Sequence, residues 1–241
     1  MMPATGSPAP RISTLSNGLR IVTRKMPGLH SATIGIWVNA GGRDERIEQN
    51  GIAHFLEHMA FKGTAKRNAR QIAEVIEDVG GYINAYTSRD MTAYYARVLR
   101  QDVRLALDVI GDIVTSPVFD PHEIEVERGV ILQEIGMALD TPDDVIFDWL
   151  QEAAYPDQAI GRSILGPAAR IRDFSRDDLA RFVAEQYGPD QMIIAAAGAV
   201  ARARVRLGDG PLYRLGPAPQ LIGRKVKPMA PGRDLARPPF H

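Results

Sequence analysis

Gly51 to Thr64, with the sequence GIAHFLEHMAFKGT, contains two histidines and a glutamate within five positions. Side chains three and four residues apart lie on the same face of an α-helix, so His54, Glu57 and His58 would project together. Two neutral imidazoles and a carboxylate that can act as a base are what a catalytic zinc site requires. The order H-x-x-E-H is the reverse of H-E-x-x-H. The motif predicts a zinc-binding helix, against the alternative of ordinary surface or core histidines.

The composition restricts how such a metal could be held. The chain has 241 residues, 45% of them hydrophobic, enough for one large domain or two small ones. It has no cysteine, which excludes disulfides and thiolate zinc sites. Any zinc must therefore be held by histidines and carboxylates, as the motif suggests.

Charge is distributed unevenly along the chain, although the formal net charge is zero. Residues 199–241 contain nine Lys or Arg against two acids, leaving 20 basic and 27 acidic residues in 1–198. An acidic body suits cationic substrates better than nucleic acid. The basic segment is rich in proline, so we predict a domain over 1–198 and a poorly ordered or truncated tail over 199–241.

No apolar run reaches the length of a membrane span, and a cytoplasmic location is expected.

Alternating apolar and polar residues predict strands. Leu19 to Arg24 and Ser31 to Val38 are expected to be neighbouring strands, and Tyr82 to Thr87 and Thr92 to Leu99 a hairpin. Gln191 to Gly198 is expected to be a short buried strand. In the segments between these strands, apolar residues at helical spacing predict helices, among them helices over 69–79, 102–114 and 176–187.

A long helix is predicted from Pro121 to Leu139, with isoleucines on its buried face. Glu127 and Glu134 are seven residues apart, so they align at the border of that face. Considered on this helix alone, they are best interpreted as glutamates that reach water. A further helix follows over 144–154, where Asp144 and Asp148 form a negative patch of the kind usually found on a solvated face.

Three segments, GIAHFLEHMAFKGT, GGYINAYTSRDMTAYYA and ERGVILQEI, resemble the M16 family of zinc peptidases, which includes pitrilysin and insulin-degrading enzyme. The resemblance covers roughly residues 15–198 and is strongest to the β subunits of processing peptidases and their bacterial relatives, so a bacterial origin is expected. With the predicted elements, it implies an α+β fold whose mainly antiparallel β-sheet packs against helices on one side.

The resemblance also assigns roles to particular residues. It implies that His54, His58 and Glu134 are the zinc ligands and that Glu57 is the general base. It implies that Glu127 supports the ligands without binding zinc, which reverses the interpretation made from the helix alone. The remaining implied positions contact substrate: an extended peptide is expected along Asn84, Ala85, Tyr86 and Thr87, and an arginine near the cleavage site at Asp144 and Asp148.

Family members contain two related halves that close around the peptide, and this sequence has only the metal-bearing half. The first hypothesis is therefore a zinc endopeptidase that cuts peptides or unfolded proteins and needs a partner half-domain, or a homodimer, for full activity. A second is a lone half that binds metal or peptide, or regulates a complex, without turnover. A third, a structural protein with chance histidines, would contain no zinc.

Overall fold

The computed structural model describes residues 8–201, 205 and 211–215. Within this range, three strands are followed by two α-helices, a two-stranded hairpin, five α-helices and a last strand. The strands are β1 (Arg11–Thr14), β2 (Arg20–Lys25), β3 (Ser31–Val38), β4 (Tyr82–Thr87), β5 (Thr92–Leu99) and β6 (Met192–Gly198). The α-helices are α1 (Ile52–Met59), α2 (Ala69–Glu77), α3 (Val103–Thr115), α4 (Pro121–Asp140), α5 (Pro142–Ala154), α6 (Ala168–Asp173) and α7 (Arg176–Gln186).

The strands form one sheet in the order β1-β2-β6-β3-β5-β4. The β2–β6 pair is parallel and the other neighbours are antiparallel, which confirms a mainly antiparallel α+β fold. The prediction that β2 and β3 are neighbours was wrong, because β6 lies between them. An alternating pattern identifies a strand but not its partner. The apolar run in β6 suits an interior strand of the sheet.

One face of the sheet forms the core. Ile34, Ile36 and Val38 of β3 are fully buried, whereas Thr33, directly before Ile34, is exposed. Helix α3 packs on β3 and β5, and α1 packs against both β4 and α4. The period-two alternation of the strands therefore places the helices on the apolar face, as predicted.

The β4–β5 hairpin has the boundaries predicted from the sequence. Its register pairs Ala85 with Tyr94. Strand β4 is the last in the strand order, so one of its sides is a sheet edge. An edge strand presents backbone groups that a further strand can use.

Part of the region predicted as a tail packs on the domain. Val205 and Leu212 are buried with the hydrophobic core. The Asn17 side-chain amide donates to the carbonyl oxygens of Leu212 and Leu215. Most of 199–241 lies outside the described residues, so the boundary at residue 198 stays a prediction. None of the helices in the described ranges is both long and apolar enough to cross a membrane.

Candidate metal centre

The first turn of α1 is held by a loop that precedes it in the sequence. Gly51 stands before the helix with a φ of 98°, and a Cβ there would lie 2.7 Å from the Leu165 carbonyl oxygen. Glycine tolerates both the conformation and the close approach. The Glu45 carboxyl group accepts hydrogen bonds from the backbone N–H of Gly51 and of Ala53, both at 2.9 Å, and from the Asn50 side chain. It thereby satisfies backbone donors that a helix start leaves unpaired.

Helices α1 and α4 bring the predicted ligands together. The Nε2 atoms of His54 and His58 lie 3.6 and 3.3 Å from Oε2 of Glu134. One ligand atom from each of the three residues can be chosen so that all lie within 4.8 Å of one another. The imidazole ring centroids are 4.7 Å apart. Spacing along α1 sets the two histidines, and packing of α4 supplies the glutamate.

These three side chains fit zinc in donor type and in separation. Ligand bonds of about 2.0–2.2 Å in a tetrahedral site place ligand atoms about 3.3–3.6 Å apart. The two measured distances to Glu134 agree with this. Burial, with a smaller effect of His58, lowers the pKa of His54 to about 4, so His54 is neutral near pH 7, as a nitrogen ligand must be. No other group of three His, Cys, Asp or Glu residues in the described part of the chain meets the same criterion.

Glu127 is buried behind His58. Its Oε2 lies 2.8 Å from His58 Nδ1, and its Oε1 lies 2.6 Å from Lys62 Nζ. Burial acts to raise the pKa of Glu127, but the hydrogen bonds and charges of Lys62 and His58 outweigh it and lower that pKa. A carboxylate can only accept, so His58 Nδ1–H donates and Nε2 keeps its lone pair for a metal. His54 lacks a comparable support, since its buried Nδ1 has no hydrogen-bond partner among the described residues.

Glu57, the predicted base, is half-buried beside His58 on α1. It is close enough to two buried tyrosines, Tyr94 and Tyr187, for its charge to affect them. Burial, with the charge of Glu57 as one of the further causes, raises the pKa of both phenols, that of Tyr187 to about 12. Their hydroxyls lie 2.9 Å apart and stay protonated near neutral pH. Glu57 is therefore next to a predicted ligand in the sequence and within electrostatic reach of two neutral phenols of the core.

The four residues predicted to bind peptide lie on the edge strand β4. Asn84 and Tyr86 are exposed, and Ala85 is buried. The Ala85 N–H donates to Oδ1 of Asn84 at 2.8 Å, and the Thr87 hydroxyl donates to the Ala53 carbonyl oxygen on α1 at 3.3 Å. The end of the edge strand is thus attached to the turn before the predicted zinc ligands.

The predicted acidic pair lies on α5, and one of its members already has a cationic neighbour. Asp148 Oδ1 accepts a hydrogen bond of 2.7 Å from Nη2 of Arg89, which belongs to the loop between β4 and β5. Asp144, one turn earlier, is exposed. The sequence suggested no basic residue beside this pair, because Arg89 is 55 residues before Asp144.

The structure also reveals two supporting residues that the sequence did not suggest. Glu45 lies in a charged segment of the sequence, Arg43 to Asn50, and nothing in its neighbours indicates burial. For Lys62 the sequence offers one signal: it is four residues after His58 and would share a face with it on a continuing helix. Glu45 contacts residues five to eight positions later and Lys62 contacts Glu127, 65 positions later, so neither contact follows from helical spacing.

The fold and the site together define a class of protein: an α+β domain in which one helix provides two histidines and another a glutamate, the ligand set of catalytic zinc sites in metallopeptidases. The family model for insulinase, peptidase family M16, matches residues 20–168. This chain belongs to peptidase family M16.

Several curated proteins resemble it at the level of sequence. It is 47% identical over 193 residues to the mitochondrial-processing peptidase subunit beta of Saccharomyces cerevisiae, covering 80% of this chain and 42% of that protein. It is 46% identical over 199 residues to a probable subunit beta from Arabidopsis thaliana, covering 83% and 38%. It is 44% identical over 195 residues to an uncharacterised zinc protease of Streptomyces coelicolor, covering 81% and 42%. The chain thus spans about two fifths of the length of these relatives.

Solved structures share the fold at lower sequence identity. A protease from Helicobacter pylori superposes with a TM-score of 0.85 at 23% identity, over 92% of this chain and 55% of that one. A peptidase M16 inactive domain from Pseudomonas fluorescens superposes with a TM-score of 0.82 at 18% identity, over 92% and 54%. In both, this chain corresponds to about half of a longer protein.

Proposed function

We propose that this chain is the catalytic half of a zinc-dependent endopeptidase. The observation that carries the proposal is the meeting of His54, His58 and Glu134 in a geometry that fits zinc, with Glu57 beside them. Bound zinc would supply a Lewis acid that polarises the scissile carbonyl and acidifies a water molecule. The names of the relatives, which include zinc proteases, agree with this chemistry.

The side chains of the protein would perform the remaining steps. Glu57 accepts a proton from the attacking water and delivers it to the departing amine nitrogen. Glu127, held by Lys62, keeps the His58 ring in the tautomer and orientation that ligation needs. The substrate would lie as an added strand on β4, with its backbone hydrogen-bonded to Ala85 and its neighbours. Such pairing selects extended peptides without reading their side chains.

Selectivity would come from α5. Asp144 and Asp148 are one turn apart on α5, and Arg89, in the loop that follows β4, reaches Asp148. A pair of carboxylates can bind a guanidinium group through several charge-assisted hydrogen bonds. We therefore propose a preference for arginine near the cleavage site, which cleavage of matched arginine and citrulline peptides would test.

Full activity is proposed to require a second half, as a partner chain or a second copy. The chain spans about two fifths of its curated relatives, and it covers 55% and 54% of the two solved structures described above. A second candidate function is a lone half that binds metal or peptide without turnover. An inactive domain with this fold, in Pseudomonas fluorescens, makes that candidate worth testing.

The decisive experiment measures zinc content and cleavage of an arginine-containing peptide together. We expect the Glu57→Gln variant to retain zinc and to lose cleavage by about a hundredfold or more. Glu74→Gln on α2, where Glu74 pairs with Arg70, is the matched control and should behave as the parent. The assay is run with and without a candidate partner chain.

Absence of cleavage in every combination, with zinc bound, would favour the candidate without turnover. Absence of zinc would contradict both. Cell fractionation would test the cytoplasmic location, which stays a prediction.

A further inference from the structure

The loop between β4 and β5 connects the edge strand to the acidic helix α5. Thr87, at the end of β4, is bonded to the Ala53 carbonyl oxygen at the start of α1. Two residues later, Arg89 donates from Nη2 to Oδ1 of Asp148 at 2.7 Å. The Asp148 carboxylate therefore lies within one arginine side chain of the end of the strand on which a peptide is proposed to bind. A peptide arginine near that end would meet a carboxylate that Arg89 already occupies.

The Arg89 guanidinium is held by few of its possible contacts. It has five N–H donors, and a carboxylate can accept two of them in parallel. Here the ion pair joins Nη2 to one oxygen of Asp148, while the buried Nε has no partner among the described residues. The side chains of Arg89 and Asp148 are 24% and 33% exposed, so solvent and a ligand can reach both. The contact is one that a better-placed guanidinium could replace.

We propose that Arg89 is an internal competitor for Asp148 and so determines the specificity of the acidic pair. This inference rests on the proposed function, because it takes Asp144 and Asp148 as the arginine site. With Arg89 in place, the positive charge of Arg89 offsets the charge of Asp148 and opposes the approach of a second cation. A peptide arginine displaces Arg89 only by bonding to Asp148 through two donors while the exposed Asp144 contributes its charge. A side chain that lacks two donors for Asp148, or a positive charge for Asp144 to attract, does not displace Arg89.

The test measures binding rather than turnover, using the full zinc-loaded chain in the Glu57→Gln background. Two fluorescent peptides are compared that differ in one residue, arginine or its uncharged analogue citrulline. Removal of a partly exposed ion pair changes an equilibrium by about two- to fivefold. We expect Arg89→Met to bind the arginine peptide tighter by that factor and to leave the citrulline peptide unchanged. Arg89→Gln, which removes the charge but keeps a hydrogen-bond donor, should act in the same direction.

Arg43→Met is the matched control. Arg43, in the segment before α1, also pairs with an aspartate, Asp90 of the loop between β4 and β5, and its side chain is 19% exposed, but Asp148 is not its partner. It should leave both affinities unchanged. Unchanged or weaker arginine binding by both Arg89 variants would overturn the inference, and weaker binding would mean that Arg89 orients Asp148 for the ligand. If the parent binds the arginine peptide no tighter than the citrulline peptide, and Asp148→Asn also shows no difference between them, the proposed arginine preference fails as well.

Discussion

The region that carries the metal ligands and the region predicted to receive the peptide differ in how their charges are matched. In the metal region, formed by α1 and α4, Glu127 is buried and pairs with both His58 and Lys62. In the peptide region, formed by β4, its following loop and α5, Asp144 is exposed and Asp148 has the one-sided contact with Arg89. One predicted metal ligand, His58, is thus oriented from within the chain, whereas the peptide region presents groups that a ligand can still use.

The largest expected effect is the loss of a metal ligand. Glu134→Gln should weaken zinc binding by about three orders of magnitude or more, because a neutral amide replaces one of three charged or basic ligands. Competition with a chromogenic chelator would measure the change. Glu125→Gln is the control, since Glu125 lies on α4 but is exposed and pairs with Arg128. A loss of less than tenfold at Glu134 would remove it from the ligand set and break the contrast between the two regions.

Loss of the support behind His58 should have a smaller effect. We expect Glu127→Gln to reduce zinc affinity about 10- to 100-fold, the usual consequence of removing a partner of a ligating histidine. Glutamine can still accept from Nδ1, but Lys62 loses its buried anionic partner. The same chelator competition applies. A loss as large as that of Glu134→Gln would suggest that Glu127 binds the metal itself.

Local sequence patterns were sufficient for much of the fold. The β4–β5 hairpin was predicted to the residue, because two alternating runs were separated by a short polar loop. The buried face of α4 was also predicted correctly at Ile124 and Ile131. The order of the strands was not, because nothing in β2 or β3 specifies that β6, about 160 residues away, pairs with both. Pairings of that range depend on the whole fold.

The candidate site follows the same rule: local spacing was predictable from the sequence, and contacts between distant segments were not. His54, Glu57 and His58 are related by helical spacing, so their position on one face follows from the sequence. Glu134 required the family resemblance, since its meeting with the histidines depends on how α4 packs on α1. Glu45 gave no signal at all, because an acid in a charged loop is ordinarily solvated, and its burial results from a close approach of chain at Gly51 and Leu165.

The buried Glu45 should make stability depend on pH. Burial raises its pKa to about 7, against the hydrogen bonds from Ala53, Gly51 and Asn50 and the charge of Arg162, which lower it. Between about pH 4.5 and 7 the folded protein retains a proton that the unfolded chain has lost. This group's contribution to stability is therefore greatest at low pH and falls as pH rises, by at most about 1.4 kcal/mol per pH unit.

The Glu45→Gln variant should lack this slope in urea unfolding of the metal-free protein followed from pH 5 to 8. Glu48→Gln, which alters an exposed residue three positions later, should retain it. Identical slopes in the parent and in Glu45→Gln would mean that Glu45 is ionised throughout and that its three hydrogen-bond donors outweigh its burial. The start of α1 would then be held by a permanent charge.

The smallest expected effect is the loss of unfolding free energy on substitution of Asp144. Its size distinguishes a carboxylate that stabilises the fold from one that is available to a ligand. Asp144 lies in the first turn of α5, where a negative charge is favourable but exposed. Asp144→Ala should therefore cost less than about 0.5 kcal/mol of unfolding free energy. Asp178 occupies a first turn on α7 but accepts hydrogen bonds from the backbone N–H and hydroxyl of Ser175, so Asp178→Ala should cost about 1 kcal/mol. Urea unfolding measures both, and an equal or larger cost at Asp144 would show that this carboxylate belongs to the packed structure and would weaken its assignment to peptide recognition.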